Sequence, residues 1–309
     1  MKHENIEIPA AVRQKAVAQG AEGRNWLHRV ASLFIELEHD WFFTVEATLA
    51  GGSESLVAAA TTSSGEPVVL KVLMPPYGTY AGDTRTLAAA DGSAHVRILK
   101  QDNERHAMLL EHLGPSLGVL GLSIENQMRI LCDTLGEAWK IPAPLGLNTG
   151  AEKARWLRHF VTATWEELGA PCSARVIQQA INFAESRIAE FTPETSVLVH
   201  GDAHGANILS DPTHPGRFKL IDPDGLLAEP ACDLAVPMRE WSRELLSGDA
   251  FERGRERCGF LSQLTGVDLR TIWEWGFFER VSTGLLTMSI GNEQEGWEML
   301  EVADTWTAV

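Results

Sequence analysis

Two short apolar runs in the second half of the chain, Val197-Leu198-Val199 and Phe218-Lys219-Leu220-Ile221, each lead into an acid. The first continues through His200-Gly201 to Asp202, and four residues separate Asp202 from Asn207. The second run stops at Asp222. Runs this short, rich in aliphatic residues and bounded by Gly, Asp and Pro, are expected to form strands. An acid, an amide and a second acid at the ends of adjacent strands make a set of hard oxygen donors. Such a set suits Mg²⁺ and a phosphoryl group in transfer. A β-hairpin with polar ends is the plainer alternative.

The upstream residues narrow the choice. Val68-Val69-Leu70-Lys71-Val72 embeds one lysine in an aliphatic run. A buried lysine needs a partner, so Lys71 is a candidate to grip the α- and β-phosphates of a nucleotide. Its alternative is an edge-strand lysine pointing at solvent. Before it comes Gly51-Gly52-Ser53-Glu54-Ser55, between the runs 41–49 and 56–60. Glycine lets backbone N–H groups approach phosphate oxygens, and Ser53 or Ser55 offers a hydroxyl. Gly-Gly between strands is also ordinary hairpin chemistry. The order is what persuades: glycine turn, lysine strand, Asp-x-x-x-x-Asn, then the Asp222 strand, as in protein kinases.

His200-Gly201-Asp202-Ala203-His204-Gly205-Ala206-Asn207, followed by Ile221-Asp222-Pro223, resembles the aminoglycoside phosphotransferase family. Within it the chain is most similar to the streptomycin 6-phosphotransferase and hydroxyurea kinase branch. The likeness continues in Glu229-Pro230-Ala231-Cys232-Asp233, in Val96-Arg97-Ile98-Leu99, in Met108 to Leu113 and in Ile141-Pro142-Ala143-Pro144. It implies an α+β, protein-kinase-like fold with two lobes: a small antiparallel sheet and a larger, mainly helical part. It implies ATP as co-substrate, Mg²⁺ as cofactor, Asp202 as base, Asn207 and Asp222 as metal ligands, and adenine against backbone groups of Glu111, His112 and Leu113. Kinases pair the strand lysine with a Glu on the next helix. Here the helix expected over 81–90 has no Glu, and Asp83 is the nearest acid in position. Asp83 can pair with Lys71 only if that helix sits closer than usual.

The chain carries 26 basic and 42 acidic residues, a net charge of −16. That balance disfavours nucleic acid as a partner and favours a small cationic substrate. Residues 1–112 hold 10 basic and 14 acidic side chains, against 16 and 28 beyond them. An acidic surface kept for solubility is the alternative. No run of eighteen apolar residues suggests a membrane span. Four scattered cysteines and a polar start fit a cytoplasmic protein with free thiols. Nothing in the sequence sets an oligomeric state.

At 309 residues the chain exceeds what a single core fills, so two units are expected, 1–113 and 114–309. The first opens with a helical extension over about 10–40, with Val30, Leu33, Phe34 and Leu37 at helical spacing. About five strands follow between Trp41 and Leu113. Beyond Leu113-Gly114-Pro115 the pattern turns helical, with Ser123 and Ser173 as expected caps. Asp233 is expected to tie the catalytic loop to the following helix, and Asp224 is either a turn residue or a metal neighbour. Trp241, Trp273, Trp275, Trp297 and Trp306 are expected in the core. Glu240, Glu274 and Glu279 are candidates to meet a cationic sugar or guanidinium, against an exposed helix surface as the alternative.

The expected activity is ATP-dependent transfer of the γ-phosphate to a hydroxyl of a streptomycin-type aminoglycoside. Three other readings stay open: a kinase of another small hydroxylated metabolite, a metal-dependent hydrolase using His200, Asp202 and His204, and a nucleotide-binding protein that no longer transfers phosphate.

Overall fold

The computed structural model describes residues 6–52, 54–75 and 80–307. It opens with two helices, α1 (Ala10–Ala18) and α2 (Gly20–Trp41). Trp26, Val30, Leu33, Phe34 and Leu37 recur every three or four positions along α2, so they share one face. That face is buried against Leu56, Ala58, Val68, Leu70 and Val72 of the sheet. Each large apolar side chain so buried contributes about 1.5–3 kcal/mol. Phe42 ends α2 in the left-handed region, with φ of 60°, and its N–H donates to the Glu38 carbonyl.

The sheet is antiparallel and five-stranded among the described residues: β1 (Phe43–Thr48), β2 (Ser55–Thr62), β3 (Pro67–Leu73), β4 (Ile98–Asp102) and β5 (Ala107–Glu111). Its spatial order is β1-β2-β3-β5-β4. Side chains alternate faces along a strand. Leu70 and Val72 therefore meet α2, while Val69, Lys71 and Leu73 face the other way. This second face is covered by Leu87 of helix α3 (Tyr80–Ala90) and by Leu209 and Ile221 from the catalytic segment. Lys71 thus points toward the rest of the molecule because Leu70 and Val72 do not.

The helix α3 sits unusually close to that segment. A Cβ on Gly82 would lie 2.2 Å from the Asp224 carbonyl oxygen, so no other residue fits there. Asp83, the next residue, is thereby held beside the catalytic segment, and it does pair with Lys71.

The larger part is helical: α4 (Ile124–Ala138), α5 (Gly150–Glu167), α6 (Ala174–Ala189), α7 (Ala231–Arg239), α8 (Ser242–Leu246), α9 (Ala250–Thr265), α10 (Leu269–Ser289) and α11 (Glu293–Trp306). Ser123 caps α4 by accepting from the Asn126 N–H at 3.3 Å. Ser173 stands at the start of α6, but its hydroxyl donates to Asp304 at 2.8 Å instead of capping. The helix α5 was not among the expected helices, although its signal is in the sequence. Thr149 and Glu152 form a reciprocal capping box.

Short strands line the junction: β6 (Asn148–Thr149), β7 (Val197–Val199), β8 (Ile208–Ser210), β9 (Phe218–Leu220) and β10 (Leu226–Ala228). The two apolar runs of the catalytic segment were expected to be neighbours, and they are not. The strand β7 pairs with β10, and β9 pairs with β8. The chain between the runs supplies β9 with its partner β8, and the chain after them supplies β7 with its partner β10. Trp275 and Trp306 are buried as expected, but Trp297 is 51% exposed.

Candidate active site

Asn207 and Asp222 flank the β8–β9 hairpin. Ile208 is in register with Leu220, and the Ile221 N–H donates to the Asn207 carbonyl at 2.9 Å. The hairpin therefore brings residues fifteen positions apart to one end. Asp222 has φ of 55°, a left-handed conformation uncommon for a residue with a side chain and tolerated best by Asp and Asn.

Asp202 reaches the same place through a tight turn. Its carbonyl accepts from the His204 N–H at 2.9 Å and from the Asn207 side-chain amide at 3.0 Å. With its nitrogen so committed, Asn207 leaves its amide oxygen free as a donor to a cation. His200, fully buried, fastens the turn from beneath. Its Nε2 lies 2.8 Å from the Ile221 carbonyl and its Nδ1 accepts from the Asp202 N–H at 3.1 Å. Those partners place the ring proton on Nε2. Asp233, buried at the start of α7, accepts from the His200 N–H at 3.1 Å, the Gly201 N–H at 2.7 Å and the Trp139 indole at 2.9 Å.

Lys71 meets this cluster from the sheet. Its ammonium lies 2.5 Å from Asp83 and 2.7 Å from Asp222. Burial opposes its charge, yet Asp222 and Asp83 raise its pKa above the ordinary lysine value. Burial likewise opposes the charge on Asp222, but Lys71 holds its carboxyl below the usual range. For Asp83, burial wins over Lys71 and pushes the carboxyl up. A cation held at constant charge between two carboxylates can exchange one of them for phosphate oxygens.

The glycine turn is open. Gly51 and Gly52 have φ of 116° and 70°, are exposed, and have no neighbouring atom within 4 Å of where a Cβ would stand. Ser53 lies outside the described residues. Ser55 is buried at the first position of β2, in register with Leu73, and so lies in the sheet and not in the turn.

At the end of β5, the Glu111 carboxylate accepts from the Arg97 N–H at 2.7 Å and from Lys219 at 2.6 Å, and its own N–H donates to the Arg97 carbonyl. That leaves His112 and Leu113, whose N–H groups donate to no protein group among the described residues. Gly114 is fastened to β8 through the Ser210 carbonyl at 2.8 Å.

The three candidate glutamates separate. Glu274 is buried, with one carboxylate oxygen 2.7 Å from Arg187 and the other 2.7 Å from Arg270, so it is neither exposed nor open to a substrate. Glu279 is also buried, between Lys153 at 2.8 Å and Arg239 at 3.3 Å. Glu240 remains partly exposed beside Arg239, at 3.7 Å. Periodicity could not separate them: Glu274 and Glu279 lie on α10, Glu240 just past the end of α7, and the partner each faces is set by packing.

Two functional-site neighbours were missed. Arg239 is hydrogen-bonded to the Asp202 carboxylate, and Lys153 of α5 donates to the Gly201 carbonyl at 2.9 Å. Arg239 closes the apolar stretch Leu234–Met238, the same lone-cation signal that marks Lys71. Lys153 carries no comparable mark. Asp224 sits against Gly201, with Lys153 3.9 Å from its carboxylate.

His200 cannot join Asp202 and His204 as a metal ligand, since both its ring nitrogens are taken by backbone groups. Among the described residues no three His, Cys, Asp or Glu side chains are arranged to hold a metal. Asn207 and Asp222 fit Mg²⁺, which typically takes one or two protein oxygens and completes its shell with phosphates and water.

A profile of the family described as aminoglycoside/hydroxyurea antibiotic resistance kinase matches residues 40–291. Streptomycin 6-kinase from Streptomyces glaucescens is 28% identical over 292 residues, covering 93% of this chain and 92% of the relative. The Streptomyces griseus streptomycin 6-kinase is 28% identical over 269 residues, covering 86% and 85%. Among solved structures, choline kinase LicA from Streptococcus pneumoniae superposes with a TM-score of 0.62 at 16% identity, covering 91% of this chain and 99% of that one. At that identity the likeness speaks for the fold alone, a kinase-like one.

Proposed function

The chain belongs to the aminoglycoside/hydroxyurea antibiotic resistance kinase family, and on that premise we propose that it transfers the γ-phosphate of ATP to a hydroxyl of a streptomycin-type aminoglycoside. It is a kinase with an alcohol group as acceptor. One observation supports the proposal for the site: contacts link Lys71 to Asp222, the Asp222 strand to Asn207, and Asn207 to Asp202, from three separate stretches of chain.

The roles follow from chemistry. Asp202 accepts the proton of the acceptor hydroxyl as its oxygen bonds to the γ-phosphorus. The bond from that phosphorus to the β–γ bridging oxygen breaks, and ADP leaves. Burial opposes the charge on Asp202, but Arg239 and then His204 hold its carboxyl below the usual value, so it is ionised and ready to accept. The Asn207 amide oxygen and the Asp222 carboxylate would hold Mg²⁺, which supplies charge neutralisation at the phosphate oxygens. Lys71 releases Asp222 to that role and grips the α- and β-phosphates. His112 and Leu113 offer free N–H groups to the adenine edge, and the Gly51-Gly52 turn offers backbone to the phosphates.

The net charge of −16 supports a cationic acceptor. The test is a coupled ADP-release assay over aminoglycosides and small alcohols, with mass spectrometry of the product. Streptomycin gaining one phosphate is the expected outcome. Turnover confined to an uncharged alcohol would overturn the acceptor, and no transfer to any hydroxyl would overturn the activity.

A further inference from the structure

Behind Asp202 lies a chain of alternating charges, of which the proposed mechanism uses only the charge of Arg239. Arg239, the last residue of α7, hydrogen-bonds one carboxylate oxygen of Asp202. The far side of its guanidinium meets Glu279 of α10 at 3.3 Å, and Glu240 lies 3.7 Å from its Nε. Glu279 in turn pairs with Lys153 of α5 at 2.8 Å, and Lys153 returns to the catalytic loop through the Gly201 carbonyl at 2.9 Å. The circuit is closed: loop side chain, α7, α10, α5, loop backbone.

Several features mark this as built for position. Arg239 is almost wholly buried, as are Glu279 and Lys153. Surface ion pairs contribute little, but breaking a buried one by removing a partner is severe, because a desolvated charge is left alone. Helices α7 and α10 must also lie close for Arg239 to span Asp202 and Glu279. Gly276 permits this: a Cβ there would stand 2.5 Å from the Met238 Cβ, one residue before Arg239. A guanidinium has a planar fork and fixed charge, so one side chain holds Asp202 and Glu279 at a set spacing as an ammonium cannot. With acids behind it, Arg239 is anchored and cannot swing away without costing buried Glu279 one of its two cationic partners.

We infer that Arg239, backed by Glu279 and Lys153, is a positioning residue that fixes the Asp202 carboxylate so that its second oxygen faces the acceptor hydroxyl. The first oxygen is occupied by Arg239, and the second lies toward His204, at 3.6 Å. This deepens the kinase reading and rests on it for the role of Asp202. A displacement of about 1 Å in a reacting group costs about 100-fold in rate.

The test compares Arg239→Met, Arg239→Lys, Arg239→Gly and Glu279→Gln with the wild-type protein, each checked for folding by circular dichroism. The expected result for Arg239→Met is a kcat lowered about 100-fold with KM for Mg·ATP unchanged within about twofold. Arg239→Lys regains part of the loss, and added guanidinium ion partly restores Arg239→Gly. A merely structural role predicts a lower Tm, no rescue by guanidinium and kcat unchanged per folded molecule, and that result overturns the inference. A crystal structure of Arg239→Met (or of Glu279→Gln, should the first not fold) decides independently of turnover. A rotated Asp202 carboxylate supports the role and an unmoved one removes it. The two readings fail separately: an inactive wild-type protein ends the proposed activity, whereas an active one with full turnover in Arg239→Met ends only the positioning role.

Discussion

Lys71 and Asp83 meet at 2.5 Å across the gap between β3 and α3, although Asp83 is one methylene shorter than the glutamate kinases carry there. Gly82, beside Asp83, lets α3 press against the Asp224 carbonyl, where a Cβ would stand 2.2 Å away. Gly82→Ala is therefore expected to push α3 outward and open the Lys71–Asp83 pair. Asp83→Asn removes the charge without moving the helix. Both should weaken Mg·ATP binding by roughly tenfold, about 1.4 kcal/mol. Calorimetry giving wild-type affinity for both variants would show that the pair does not serve nucleotide binding.

Asp202 and Asp222 are chemically alike but are expected to fail in different ways. Asp202→Ala should lower kcat by roughly 10²–10⁴-fold, the range for a lost general base, with little change in nucleotide affinity. Asp222→Ala should instead weaken Mg·ATP binding. Near-normal turnover in the first variant, or unchanged Mg·ATP affinity in the second, would remove the corresponding role.

On the proposed donor set, Asn207 and Asp222 would hold Mg²⁺ with few protein oxygens, so the ion's grip would depend on the nucleotide. Chelation with EDTA should abolish transfer, and added Mg²⁺ should restore it fully. Phosphoryl transfer persisting in excess EDTA would contradict this donor set.

Asp233 accepts three hydrogen bonds in a buried site. Asp233→Ala strands all three donors, each costing about 1–3 kcal/mol. Urea denaturation should show a loss of at least about 3 kcal/mol. A loss below about 1 kcal/mol would mean that the loop finds other acceptors.

His95 is buried and stacked on His200, with ring centroids 6.0 Å apart. Burial and the His200 ring push its imidazole from 6.5 down to about 3. Below pH 6.5 the unfolded chain therefore takes up a proton that the folded protein refuses. Stability falls as pH drops from 6.5 toward 3, by about 2 kcal/mol from this group at pH 5. His95→Phe should flatten that acid-side slope, as measured by denaturation at pH 5 and pH 7. An identical slope in both proteins would assign the acid sensitivity elsewhere.

Much of the fold was legible because it depends on short-range patterns. The face of α2 follows from Val30, Leu33, Phe34 and Leu37, and the five strands follow from alternation and turn residues. The likeness of residues 200–209 and 221–223 to a kinase family then indicated how these elements assemble. Less legible were the partners of short strands. Val197–Val199 and Phe218–Leu220 have only three residues each, too few to specify a neighbour by themselves, and the chain between and after them supplied β8 and β10.

The sequence by itself determined the chemistry in line along the chain: Asp202 and Asn207 within one turn, Asp222 at the end of a hairpin, Lys71 alone among aliphatics. Residues so close, or so out of keeping with their run, announce themselves without any knowledge of packing. Only the tertiary structure decided which glutamates are free. It locked Glu274 between two arginines, drew Glu279 into the charge circuit behind Asp202, and left Glu240 partly exposed beside Arg239. The reason is geometric: a helix pattern names the buried face, but which charged side chains meet there depends on how closely two helices approach. At α7 and α10 that approach is set by the bare backbone of Gly276 against Met238.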